Sequence, residues 1–275
     1  MTTGAFLLVL GSALLHASWN LAIKVSNDRL VTAGAQVTLG ALAFSPLLLI
    51  IELPQGVWGW VVLSSGVHLL YGLSLVAAYE RGDLSAMYPI ARGTAPALVT
   101  LGAAVLLGDK IGTAGLFAVA IIVAGIVAIG LNGRPHGVGW AIITGLFITS
   151  YTLIDGHAVR QLDSALAYTV CVFLGNMVLY WPVVLWRRGL AGVVASVRID
   201  WWKQFLGGTA SALAYILVLV AARISPLGLV SAVRETSVVF GALAGWLLLR
   251  ERLGGQRLIA ATSIAAGLVV IAAAG

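Results

Sequence analysis

Leu107-Gly108-Asp109-Lys110-Ile111-Gly112 and, 142 residues later, Leu249-Arg250-Glu251-Arg252-Leu253-Gly254 share one pattern: an apolar run closed by an acid, a base, an aliphatic residue and a glycine. Worked outward at the same offset, Ala78 to Gly130 aligns with Val220 to Ala272 without a gap. Arg81 meets Arg223, Arg92 meets Arg234 and Thr94 meets Thr236, while Leu116, Ala118, Ile122, Ala124, Gly125, Val127 and Ile129 meet identical residues. Apolar identities could arise from composition alone. Matched charges within and between apolar runs point to a duplicated chain.

The segments flanking these turns suit a bilayer. Of 275 residues, 60% are hydrophobic and 9% charged, against roughly one quarter charged in soluble domains, and no stretch is polar enough for a separate water-soluble domain. Runs of about 20 residues, the length that crosses the hydrocarbon core, fall at 4–23, 31–51, 57–78, 84–107, 113–131, 137–156, 164–186, 205–222, 227–249 and 258–274. Short separators such as Glu52-Leu53-Pro54-Gln55-Gly56 and Arg81-Gly82-Asp83 carry turn formers or charges and make neighbours antiparallel. The expected fold is an all-α integral membrane protein of ten transmembrane helices in two five-helix repeats, 1–133 and 134–275. Because five is odd, the second repeat enters the membrane from the opposite face. Such inverted repeats recur in secondary transporters, with the site near the midplane.

The net charge of +6 falls in short breaks and never forms a long cluster, so it reads as a topology signal and excludes nucleic acid as a partner. One cysteine, Cys171, excludes an intrachain disulfide and a CxxC metal site. No Lys or Arg precedes Gly4, so the first run reads as a membrane helix and not as a signal peptide. The stretch 187–203, with Val193, Val194 and Val197 beside Arg187, Arg188 and Arg198, reads as a short helix in the interface, followed by Trp201 and Trp202 at headgroup depth.

With two five-helix halves and the repeated turn, the chain resembles the EamA-like branch of the drug/metabolite transporter superfamily over essentially its whole length. More narrowly, His16-Ala17-Ser18-Trp19-Asn20, Tyr88-Pro89-Ile90-Ala91-Arg92-Gly93, Tyr151-Thr152-Leu153-Ile154-Asp155-Gly156 and Arg234-Glu235-Thr236-Ser237 resemble a bacterial subgroup sometimes linked with phosphonate use. The resemblance implies ten helices around a central cavity in a bacterial inner membrane. It also implies movement, often outward, of amino acids, nucleotide-related compounds or other small polar metabolites. It places both termini in the cytoplasm, whereas the loops that would then lie outside hold Lys24, Arg29, Arg81, Arg134, Arg187, Arg188, Arg198, Lys203, Arg250, Arg252 and Arg257, against Lys110, Arg160 and Arg223 inside. Positive charge therefore favours the opposite orientation.

An unpaired Arg or Asp at a span centre costs about 2.5 to 3.5 kcal/mol, so such residues face partners or a wet cavity. Arg92 lies about eight residues, roughly 12 Å, into the fourth run, and Arg234 at similar depth in the ninth. Their planar forks suit a carboxylate, phosphate or phosphonate; the alternative is that Asp155 or Glu235 neutralises each and locks helices together. Those two acids, with His68, are the candidates for proton coupling or charge pairing. Arg234 and Glu235 project about 100° apart, so one can line a cavity while the other braces a neighbouring helix. His16, Asn20 and Lys24 form one polar stripe beside Trp19. Tyr88 and Tyr151 each precede a charge, Arg92 and Asp155, by four residues, and Tyr71 lies near His68, so all three tyrosines are candidate hydroxyl donors or aromatic walls.

No HExxH, GxSxG, pair of acids at metal-binding spacing or ATP-binding loop is present, so no enzyme activity, metal or cofactor is expected. The expectation is a secondary transporter of a small anionic or zwitterionic metabolite, amino-acid-like or phosphonate-like, exporting by alternating access with protons as a candidate coupling ion. Its partners would be that solute and the lipid bilayer, and the chain would act as a monomer or homodimer. One rival is a lipid or hydrophobic-drug flippase of the same fold, with a cavity open sideways to lipid. The other is a non-transporting membrane scaffold.

Overall fold

The structure, a computed structural model, describes residues 1–81, 84–130, 137–249 and 255–274. All regular structure in them is helical: α1 (Thr3–Lys24), α2 (Arg29–Phe44, continued by a 3-10 turn Ser45–Leu49), α3 (Trp58–Arg81), α4 (Leu84–Leu106), α5 (Thr113–Gly130), α6 (Val138–Val159), α7 (Ala165–Ile224), α8 (Leu227–Arg234), α9 (Thr236–Leu249) and α10 (Gly255–Ala274). Local chemistry sets several starts. The Thr2 hydroxyl accepts from Ala5 N at 3.3 Å, Asp28 Oδ1 from Leu30 N and Val31 N at 3.0 and 3.1 Å, and Ser164 Oγ from Leu166 N at 3.2 Å, each satisfying amides that a helix start leaves unpaired.

Among the described residues five stretches are long and apolar enough to cross a membrane: Thr3–Ile23, Arg29–Leu49, Trp58–Ala78, Val138–Val159 and Ala165–Ile224. Their outer faces carry bare apolar side chains such as Leu7, Val62, Leu146 and Val178, as expected where lipid is the solvent.

Two elements differ from the sequence expectation. The interfacial helix expected over 187–203 is the beginning of the following helix: α7 bends only at Gly189, whose φ of 64° suits a residue without Cβ, and the arm 190–224 then runs unbroken. The reason is an inward stripe, Val193, Ser196, Asp200, Gln204 and Gly207, which is buried at helical spacing and continues in phase into the apolar part. The ninth run, expected as one helix, breaks at Glu235 between α8 and α9. There Glu235 N bonds to Ala232 O at 3.1 Å and Val238 N to Glu235 O at 2.9 Å, tightened i to i+3 bonds in place of the α-helical pattern.

Contacts between α1, α2 and α7 fix a long axis. Ser12 Oγ donates to Ala214 O at 2.7 Å, while at the far end of α1 Asn27 N donates to Asp200 Oδ2 at 3.1 Å, so α1 and the second arm of α7 are antiparallel. Asp200 also holds Lys203 Nζ at 2.7 Å, and Arg188 Nε meets Asp28 Oδ2 at 2.6 Å, tying the α1–α2 turn to α7. Between these helices α2 and α7 touch backbone to backbone: a Cβ on Gly40 would meet Gly208 O at 2.6 Å, and one on Gly208 would meet Gln36 O at 2.5 Å. From Asp200 to Ala222 the second arm rises about 33 Å at 1.5 Å per residue, close to the thickness of a hydrocarbon core.

Candidate functional site

Near Ala222 the helix ends are clamped together. Arg160 at the end of α6 meets Asp109 with Nη1 to Oδ1 at 2.6 Å and Nη2 to Oδ2 at 3.1 Å, and donates to Ala222 O and Ser225 O, both at 3.0 Å. Leu227 N, at the start of α8, donates to Asp109 Oδ2 at 2.7 Å. The acid of the repeated turn thus joins α6, α7 and α8. Its counterpart Glu251 lies outside the described residues.

A cavity runs from the middle of the molecule toward the opposite end. On α1 its wall starts at His16 and passes Trp19 to Ile23, on α3 it goes from His68 and Tyr71 to Val76, and exposed Arg29 stands at its rim. Ser211, Tyr215, Phe173 and Asn176 of α7, Tyr151 of α6 and Arg234 of α8 complete its inner part. About 110 Å³ is open to the centre of a water molecule, where one water needs about 10–15 Å³, so several waters or a small solute fit.

The inner wall is aromatic with a positive floor. His68 stacks on Tyr151 at 4.1 Å between centroids, Tyr71 meets Tyr151 edge-on at 5.5 Å, and Tyr215 stands edge-on to His68 at 5.3 Å. Arg234 lies with its Cζ 5.7 Å from the Tyr215 centroid, a cation–π arrangement. Its Nη2 is 3.4 Å from His16 Nδ1; since a guanidinium only donates, Nδ1 accepts. Arg234 Nε is buried and has no hydrogen-bond partner among the described residues.

The two acids sit behind this wall. Glu235, 1% exposed, accepts from Arg92 Nε at 3.1 Å and Nη2 at 2.7 Å, so Arg92 is bound to protein and does not reach the cavity lining. Asp155, fully buried, accepts from Tyr168 Oη at 2.5 Å through Oδ1 and from Tyr215 Oη through Oδ2. Tyr215 therefore connects Asp155 to the cavity.

Of the residues singled out in the sequence, His16, Trp19, His68, Tyr71, Tyr151 and Arg234 meet at the cavity, whereas Arg92, Asp155 and Glu235 lie behind it. Asn20 turns its amide back to His16 O at 2.9 Å. The Lys24 and Tyr88 side chains lie outside the described residues. Sequence reasoning passed over Gln36 and Tyr215. Each is a polar or amphipathic residue inside an apolar run, which is the signal that could have found them. Among the described residues no cluster of three or more metal-ligating side chains occurs.

The EamA-like transporter family model matches residues 135–273, just over half of the chain. No curated protein matches in sequence. A solved crystal structure, titled only as that of a protein, is similar over 98% of this chain and 97% of its own with a TM-score of 0.79 and 16% sequence identity, a likeness of fold alone.

Proposed function

Since this chain belongs to the EamA-like transporter family, and is a multi-pass membrane transporter of the drug/metabolite superfamily, we propose that it is a secondary transporter of a small anionic or zwitterionic solute in which Arg234 receives the acidic group. The observation that carries this reading is the contrast between the two repeated arginines. Arg92 has its charge met by Glu235, while Arg234 lines the cavity and forms no ion pair among the described residues. A desolvated guanidinium binds a carboxylate or phosphonate strongly because both forks can be used.

The same reading takes the fold as ten crossings in two inverted halves, with the two arms of α7 counted separately and α8 with α9 as one broken crossing. A break at the depth of a site is a recurrent transporter device. Alternating access is supported by one-sided geometry: the cavity reaches toward Arg29, and the Asp109–Arg160 clamp lies beyond its inner end. Opening that clamp while closing the Arg29 side would present Arg234 to the other face. Asp155, held by two phenols and linked to the cavity through Tyr215, is the group assigned to proton coupling. Outward transport across a bacterial inner membrane is what the resemblance to the EamA-like branch implies.

The test is a thermal-shift screen of purified protein against amino acids and phosphonates, repeated with Arg234→Ala and Arg92→Ala. Ligands should stabilise wild type and fail to stabilise Arg234→Ala, while Arg92→Ala lowers the baseline melting temperature. Equal stabilisation of wild type and Arg234→Ala overturns the assignment.

A further inference from the structure

The cavity has a second charged residue in its wall, Arg29, far from Arg234. On α2, Arg29, Ala33, Gln36 and Val37 recur at helical spacing and all line the hollow, so Arg29 continues one cavity-facing stripe to the rim. Gln36 Nε2 lies 3.5 Å from Trp19 O, which sets α1 and α2 level at that point. From there Arg29 is seven residues nearer the mouth, roughly 10 Å, while His16, which Arg234 contacts, is three residues deeper, roughly 4.5 Å.

No carboxylate is among the residues that line the hollow, and the acids near its mouth are engaged elsewhere. Asp28 takes Arg188 Nε on Oδ2 at 2.6 Å and caps α2 with Oδ1, while Asp200 holds Lys203 Nζ at 2.7 Å and Asn27 N at 3.1 Å. Arg29 is exposed and forms no ion pair among the described residues. The same is true of Arg187 and Arg198, which lie beside Arg188 and Asp200 at this end of the molecule. Ile23, Val37, Leu75 and Val76 make the wall between rim and floor largely apolar. A cleft lined by one sign of charge with low-dielectric walls focuses its field along the opening.

We infer that Arg29 is an outer anion position, which draws a carboxylate, phosphate or phosphonate head into the hollow and turns cations away before the solute reaches Arg234. Set apart along the axis, the two arginines act in sequence: Arg29 governs the rate of entry and Arg234 the residence. A rim charge acts mainly on association, and salt screens it over about 8 Å at physiological ionic strength. The inference rests on the reading of the solute as an anion.

Thiol labelling of the full chain in lipid nanodiscs tests it without any transported solute. Ser211, a cavity residue one turn from Tyr215 toward the mouth, is replaced by cysteine, and Cys171, 7% exposed, gives little background. Rates are measured with two methanethiosulfonates, the anionic sulfonatoethyl and the cationic trimethylammonioethyl reagent, each divided by its rate with free 2-mercaptoethanol. At low salt the anion should be favoured. Arg29→Gln should cut the anion-to-cation ratio at least about threefold, Arg29→Lys should keep it, and roughly 1 M salt should remove most of the difference. A ratio that Arg29→Gln leaves unchanged, or that Arg29→Lys loses equally, overturns the outer position. Val76→Cys repeats the measurement should Ser211→Cys fail to fold, and no reaction of either cysteine also overturns it, since the hollow is then closed on the Arg29 side. The two readings fail separately. A ratio that depends on Arg29 while ligands still stabilise Arg234→Ala leaves the outer position standing and removes Arg234, and the reverse pair of results does the opposite.

Discussion

The Glu235 carboxylate grips the Arg92 guanidinium at two points, Oε2 with Nε at 3.1 Å and Oε1 with Nη2 at 2.7 Å, across α8–α9 and α4. At the repeat offset of 142 the position equivalent to Glu235 is Gly93, so the first half supplies no acid in the same place for Arg234. Arg92 is thus a strut between α4 and α8–α9, while Arg234 lines the cavity.

Stripping either partner of that strut leaves a buried charge without its mate. Arg92→Met and Glu235→Gln should each destabilise by about 3–5 kcal/mol, and Arg92→Met with Glu235→Met should recover most of the loss. Denaturant or thermal unfolding of the three variants in one detergent checks this. Additive losses in the double variant would contradict it.

Tyr168 and Tyr215 both donate to Asp155, yet only Tyr215 lines the cavity and faces Arg234. Each Tyr→Phe change should cost about 1–3 kcal/mol by leaving a carboxylate oxygen unmet. Ligand affinity should fall in Tyr215→Phe and stay unchanged in Tyr168→Phe. Unfolding and titration on the same preparations separate the two effects.

Asp109 holds Arg160 and the Leu227 amide at one end of the molecule. Asp109→Ala should loosen the α7–α8 junction. A cysteine placed at Ser225, which is 5% exposed, should then react with a water-soluble maleimide several-fold faster, and the native Cys171 is buried and gives little background. Unchanged labelling would mean that the junction is held by packing alone.

Gly208→Ala puts a methyl group against the Gln36 backbone, which has no side-chain freedom with which to yield. A loss of about 1–3 kcal/mol or more is expected. Gly66→Ala meets nothing within 4 Å and should be neutral or stabilising by up to about 1 kcal/mol. Melting temperatures of the two variants decide between these outcomes.

The helical nature of the chain and its membrane character were legible because lipid demands long apolar runs, and runs of that kind leave their mark in any sequence. The break at Glu235 was not. Nothing between Leu227 and Leu249 resembles a helix stop, and the break falls at the residue whose carboxylate holds Arg92. The continuation of α7 through 190–204 was hidden by its charges, since Arg187, Arg188 and Arg198 beside valines look like the polar face of an interfacial helix until Asp200 is seen bonded to Asn27. Gly40 and Gly208 make the closest backbone approach, yet nothing around them in the sequence sets them apart from other glycines. Small residues permit close packing without saying which partner approaches. Arg92 and Arg234 could not be told apart by depth or type, because what distinguishes them is a contact between helices far apart in sequence.

The most direct test is the distance between the phosphorus of bound aminomethylphosphonate and a ¹³C-labelled arginine Cζ, measured by dipolar-recoupling NMR in lipid and assigned by loss of the signal in Arg234→Lys. The account predicts a contact under about 5 Å to Arg234, the reach of a guanidinium–phosphonate hydrogen bond, and none to Arg92. Dephasing of Arg92 with Arg234 untouched would contradict it.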